Sequence, residues 1–225
     1  MITHLFAYRF AFVLVLVGIL TSAFSASAQS GQPTDAAKKA NARPRESAAG
    51  PSEPFDGASV EKMRAQCVTL ETELGSIEIE TIPEVAPESV RSFLNLAATG
   101  ALDTTTFSRV VKGFVVQGGN LATSERWGVE LSKRMARTLP DEPGLVKHVR
   151  GIVSMARTAD ANSATTNFFI LVGEGQHLDG KFSAFGRVTK GIEVADEINK
   201  AESQAEKPDK PVKIRRAVVA PCKKP

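Results

Sequence analysis

"CVTLETELGSIEIETI", Cys67 to Ile82, alternates apolar and polar residues on both sides of Gly75-Ser76. Val68 and Leu70 mark one arm, and Ile77 and Ile79 mark the other. A period of two puts these four side chains on one face of a pleated ribbon, and Gly-Ser supplies the turn. The stretch predicts an antiparallel β-hairpin with one buried face. The next stretch, "APESVRSFLNLAATG", changes period: Val90, Phe93, Leu94 and Ala97 recur at helical spacing, with Pro87 in the first turn and Gly100 past the last. A helix therefore follows the hairpin.

Working outward, "TTFSRVVKGFVVQGG" reads as strand broken at Gly113, and "HVRGIVSMAR", "TNFFILVGEG" and "KFSAFGRVTKG" as further short strands. "IEVADEINKAE" is a second helix with Val194 and Ile198 on one face, and "VKIRRAVVAPC" ends the chain as a strand. Many strands with two separated helices predict a mainly β architecture, a barrel or sandwich with helices over its openings. Phe93, Phe107, Phe168 and Phe185 are too bulky for a hollow interior, which argues against a barrel built around a small apolar ligand.

The first 28 residues carry one formal charge, Arg9, then the apolar run Phe10 to Leu20, then Ala26-Ser27-Ala28. This is the pattern of a cleaved secretory signal. A membrane-spanning helix wants about 20 apolar residues, more than this run holds. Residues 29–58 are rich in Ala, Pro, Ser and charge, with a single aromatic, Phe55, and read as a disordered tether. The expected folded domain is 59–225. The location that follows is export, to the periplasm or outside the cell. The chain has 28 basic and 25 acidic residues; without Arg9 the balance is 27 against 25, or +2. That near-neutral balance gives no sign of a nucleic-acid partner.

"FSRVVKGFVVQGG", Phe107 to Gly119, has no nucleophile with an obvious base and no phosphate loop. Ser108 lacks a nucleophile elbow, and "GEGQ" and "QGGN" lack a phosphate-loop lysine. His148 and His177, the only histidines after residue 28, are too few for a metal site, so no metal or cofactor is expected. Yet "TTFSRVVKGFVVQGGN", "KHVRGIVSMARTADANSATTNFFI" and "HLDGKFSAFGRVTKGIEVADEI" together resemble, in order, the cyclophilin-type peptidyl-prolyl cis-trans isomerases, with the exported bacterial members as the nearest flavour. The resemblance implies a closed eight-stranded antiparallel barrel with a helix over each end. It also implies an isomerase that rotates X-Pro bonds without covalent chemistry, and flexible, proline-containing polypeptides as substrates. Nothing calls for more than a monomer, and no membrane insertion is expected after signal cleavage.

On this resemblance Arg109 is the catalytic arginine, and Gln117 orients it. Phe114 and Phe169 are walls of a proline pocket and Leu178 is its floor. Val115 stands where methionine is usual, and Ala156, Asn167, His177 and Phe182 complete the substrate-binding set. Strand alternation sends Phe168 to the core, away from Phe169. The departures are Ser108 for a histidine, Asn167 for a glutamine, His177 for a tryptophan, Phe182 for a histidine or tyrosine, and an "ATSERWG" loop without the glycine-rich turn. They motivate one alternative, a proline-peptide-binding module without catalysis. In cyclophilin-like barrels the first and last strands are neighbours, so the resemblance also raises a disulfide between Cys67 and Cys222, the only two cysteines.

Overall fold

The computed structural model describes residues 52–222; the expected signal segment and residues 29–51 of the expected tether lie outside them. The hairpin read from the sequence is β1 (Gln66–Thr72) and β2 (Ser76–Thr81), with Val68, Leu70, Ile77 and Ile79 fully buried. Six more strands complete its sheet: β3 (Arg109–Val111), β4 (Val115–Gly118), β5 (Ile152–Met155), β6 (Phe168–Leu171), β7 (Ala184–Lys190) and β10 (Ile214–Pro221). A separate small hairpin joins β8 (Ser203–Gln204) to β9 (Lys207–Pro208).

The eight strands run β10-β1-β2-β7-β5-β6-β4-β3, and every pairing is antiparallel. The sheet curls so that its ends approach, as an eight-stranded antiparallel barrel requires. Closure is partial. β3 and β10 share no ladder; instead the residues just before β3 form the seam. There the Phe107 N–H donates to Val212 O (2.9 Å), the Ile214 N–H donates to Thr105 O (2.8 Å), and Thr106 bridges Lys213.

Both expected helices are present, as α2 (Pro87–Ala98) and α4 (Ile192–Asn199). α2 buries Val90, Phe93, Leu94, Leu96 and Ala97. Its N-cap, Ala86, has no side chain that can accept from the first turn. The Glu142 carboxylate does so from a distant loop, taking the Glu88 and Ser89 N–H groups at 2.9 and 2.8 Å. An acidic group at this end also opposes the positive end of the helix dipole. Two short helices, α1 (Val60–Arg64) and α3 (Val129–Met135), were not read from the sequence.

The barrel interior is filled. Phe93 meets Phe168 and Phe185 at centroid separations of 5.2 and 5.0 Å, and Phe107 lies 6.4 Å from Phe168. These edge-on and tilted contacts exclude a ligand-sized hollow and gain beyond simple area burial.

The expected tether needs correction at its C-terminal end. Phe55 is buried against the main core, and its N–H donates to Asn95 Oδ1 at 2.7 Å. Arg91 donates to the Phe55 and Ala58 carbonyls at 2.9 Å. Glu53 forms a largely buried ion pair with Arg134 at 3.0 Å. The lone aromatic of a polar segment had a pocket waiting, so the packed domain starts by Glu53 rather than at 59.

β1 and β10 pair from Gln66↔Pro221 to Thr72↔Ile214. Cys67 and Cys222 meet at the end of this ladder and form a disulfide, with Cα atoms 4.9 Å apart and a sequence separation of 155. A loop of that length constrains the unfolded chain by about 5 kcal/mol in the chain-entropy account. In a domain of this size the corresponding drop in Tm is about 10 °C or more. Replacing both cysteines by serine is expected to lower Tm by that order, measured by calorimetry beside the oxidised and reduced parent. Equal Tm for oxidised and reduced protein would contradict it.

Candidate active site

Adjacent residues of β6 face opposite ways. Phe168 enters the main core, whereas Phe169 joins a second apolar cluster with Val115, Ile152, Leu171, Leu178 and Ala184 on the outer side of the sheet. Val111, Phe114, Val146, Ala156 and Phe182 pack around this cluster, partly exposed. Phe169 meets Phe182 edge-on at 6.0 Å, and Phe114 lies 5.3 Å from the exposed His177 ring. The cluster therefore has an aromatic rim over an aliphatic floor.

Register places a polar pair beside it. Arg109 pairs with Gln117 across β3 and β4, Gln117 pairs with Phe169 across β4 and β6, and Phe169 pairs with Ser154 across β6 and β5. Directly opposed residues in antiparallel strands share a face. Arginine, glutamine and the pocket phenylalanine thus form one outer row. Arg109 Nη1 donates to Gln117 Oε1 at 3.2 Å. The β3–β4 turn is held by Asn199, at the end of α4. Its amide donates to the Val111 and Val115 carbonyls at 2.8 and 3.0 Å, and its Oδ1 accepts the Gly113 N–H at 2.8 Å. This fixes where Phe114 emerges.

Gly119 closes β4 with φ +83°. Only glycine adopts that conformation cheaply, and a Cβ there would strike the Thr166 carbonyl. The Gly-Gly after Gln117 is therefore a close backbone approach that seats β4 beside the entry to β6.

The sequence-predicted residues converge. Arg109 and Gln117 touch; Phe114, Val115, Ala156, Phe169, Leu178 and Phe182 share one cluster; His177 stands on its rim. Asn167 is tied to the set through backbone, its carbonyl accepting the Ala156 N–H at 2.9 Å.

Three supporting groups were not read from the sequence. Arg157 lies over the Phe182 ring at 4.9 Å and donates to the carbonyls of Thr158, Asp160 and Lys181, which pins the loops on both sides of that ring. Next to Leu178 in the chain, Asp179 lies 3.2 Å from His148 Nδ1, and Ser154 lies 3.0 Å from His148 Nε2. Asp179 also accepts the His148 N–H at 2.8 Å. This Ser–His–Asp order matches a nucleophilic triad, but Ser154 is wholly buried and no substrate reaches it. The network braces the pocket floor. The third is Glu206, whose carboxylate contacts Arg109 from the β8–β9 hairpin.

The chain and its fold are similar to known proteins. Residues 67–219 match the family model "Cyclophilin type peptidyl-prolyl cis-trans isomerase/CLD". The chain is 34% identical over 165 residues to peptidyl-prolyl cis-trans isomerase A of Dickeya dadantii, covering 68% of this chain and 83% of that protein. It is 38% identical over 141 residues to peptidyl-prolyl cis-trans isomerase CYP23 of Arabidopsis thaliana, covering 62% of each. A crystal structure of a cyclophilin-type isomerase of Cryptosporidium parvum, obtained in the presence of the dipeptide Ala-Pro, superposes with TM-score 0.60 at 28% identity, over 68% of this chain and 98% of that one.

The brace carries a pH signature. Burial holds His148 below its ordinary value of 6.5, against the opposing pull of Asp179. The His148 N–H and neighbouring donors hold Asp179 at about 2. A histidine depressed in the folded state contributes stability in full above the unfolded value and loses it as pH falls below that value. Asp179 loses its contribution only further down, between its ordinary 3.8 and about 2. Denaturant midpoints are expected to fall as pH drops from 7 to 5. His148→Gln should flatten that slope and leave the steeper loss below pH 4. A slope unchanged in the variant would assign it to other groups.

Proposed function

We propose a mechanism from one premise: this chain belongs to the cyclophilin-type peptidyl-prolyl cis-trans isomerases. Rotation about an X-Pro bond is opposed by amide resonance, with a barrier of roughly 18–20 kcal/mol. Twisting removes the resonance and leaves a basic lone pair on the prolyl nitrogen. A donor cation aimed at that nitrogen stabilises the twisted state and hardly touches the planar one, which is the differential binding catalysis needs.

Arg109 is the donor in this reading. The pocket of Phe114, Phe169, Leu178 and Phe182 holds the proline ring, so that the acyl side of the bond turns against a fixed partner. Val115, Ala156, Asn167 and His177 complete the contact surface. The observation that carries the assignment is the single outer row that places Arg109 and Gln117 next to Phe169. One charge-assisted hydrogen bond nets about 1.5–3 kcal/mol, whereas a rate gain of about 10⁵ needs roughly 7 kcal/mol. The remainder comes from the held ring and the apolar surroundings.

The substrates in this reading are flexible, proline-containing polypeptides, met as a monomer in the periplasm or outside the cell. The signal pattern over residues 1–28 supports export, and the Cys67–Cys222 pair suits an oxidising compartment. X-Pro exchange takes 10–100 s unaided and limits the folding of many chains, so the biological role is folding assistance.

The test is cis/trans exchange of a short X-Pro peptide, followed by NMR. The parent is expected to accelerate exchange. Arg109→Ala should lower kcat/KM about 100-fold with peptide binding largely kept, and Phe169→Ala should weaken both. A parent that binds the peptide and leaves its exchange rate unchanged is a non-catalytic reader of proline sites.

A further inference from the structure

The β8–β9 hairpin has no part in the pocket, yet its turn touches the catalytic arginine. Ala205 and Glu206 form that two-residue turn, with φ of +48° and +67°. Such turns favour Asn-Gly, because both central residues take left-handed conformations that side chains resist. Alanine and glutamate are costly choices there. The hairpin docks on the edge of β3, where Glu206 O accepts the Val110 N–H at 2.8 Å. Its carboxylate Oε2 then lies 2.8 Å from both Nε and Nη2 of Arg109.

Stability does not account for this glutamate. The two side chains are 44% and 49% exposed, and an ion pair so exposed contributes little to folding. Turn preference argues against it as well. What the carboxylate does is restrain Arg109. A guanidinium has five N–H groups. Oε2 engages the Nε edge, and Gln117 Oε1 takes one Nη1 hydrogen from the other side. Among the described residues, one hydrogen on Nη1 and one on Nη2 have no partner. Contacts on both flanks narrow the rotamers open to this long side chain and favour one direction for the remaining donors.

We propose that Glu206 is a positioning residue for the isomerase reaction, the outer arm of a carboxylate–guanidinium–amide chain that presents Arg109 to the prolyl nitrogen. The carboxylate also offsets part of the guanidinium charge, which opposes catalysis. That cost is small where both groups meet water and salt, whereas donation to a single lone pair depends steeply on direction. Orientation wins, so losing Glu206 lowers the rate.

The inference rests on Arg109 acting at the prolyl bond. The experiment compares the parent with Glu206→Gly, Glu206→Gln and Arg109→Ala in the same peptide exchange assay. Glycine relieves the left-handed turn, so Glu206→Gly is expected to keep or raise Tm while kcat falls about five- to tenfold and KM stays close to the parent's. Glu206→Gln should fall in kcat to a lesser degree. The Arg109 Nε–H NMR signal, assigned by its absence in Arg109→Ala, should be sharp in the parent and broadened or lost in Glu206→Gly. Rising stability with falling kcat separates positioning from a structural role. Unchanged or raised kcat in Glu206→Gly, with Arg109→Ala inactive, overturns the role of Glu206 alone. Parent-like activity in Arg109→Ala overturns the role of Arg109 and this inference together.

Discussion

Phe168 and Phe169 are neighbours on one strand, and a strand turns successive side chains to opposite faces of its sheet. One ring must enter the barrel and the other must leave it. The inward ring joins Phe93, Phe107 and Phe185 in a filled interior, so there is no room for a substrate inside. Any site must be built on the outer face. An outer face that carries Phe169, Leu171 and Val115 needs cover, and the segments bearing Ala156, Leu178 and Phe182 supply part of it. This is why β5 and β6 are buried on both sides, unlike β1, whose Glu71 faces water. The pocket is what remains where the cover stops.

Beside such a pocket, an arginine on a sheet surface is not yet a catalyst. Whatever a guanidinium does there depends on where its fixed fork of donors points. Placement comes from three levels of structure. Register sets it opposite Gln117, Asn199 clamps the β3–β4 turn from α4, and a carboxylate from a third element reaches its free flank. The network of His148, Asp179 and Ser154 does for Leu178 what these contacts do for Arg109. Both halves of the proposed site, apolar pocket and guanidinium, are thus held by polar contacts from residues distant in sequence.

The features legible in the sequence are those carried by local period and by motif. The first hairpin, α2, α4 and the opposite facing of Phe168 and Phe169 follow from residues close together in the chain, whereas the proposed pocket set comes from the family resemblance alone. What escaped depends on partners far apart. Glu206 meets Arg109 across 97 positions, and Glu142 caps α2 across 54. Neither shows any pattern of its own, because a single carboxylate in a polar loop looks like solvated surface. α1 and α3, of five and seven residues, are too short for a helical period to stand out. Residues 53–58 have the composition of a tether, and only the presence of Asn95, Arg91 and Arg134 on the other side turns them into a docked segment.

The incomplete closure of the barrel links these observations. In a fully closed barrel β10 would pair with β3 along its length, and the Val110 N–H would belong to that ladder. Here β10 is paired with β1, and the seam is made by the residues that precede β3. The edge of β3 is left for a shorter occupant, and the β8–β9 hairpin takes it with one backbone hydrogen bond to Val110. An exposed strand edge is a liability that proteins cover in some way. A two-residue turn covers this one, and the same turn brings a side chain within reach of Arg109. A continuous ladder would protect the edge more strongly, but its alternating side chains would point along the sheet normals. A turn crossing the edge can aim one back at its neighbour. The backbone cost of placing Ala205 and Glu206 in left-handed conformations is therefore local, and its return lies in how Arg109 is held.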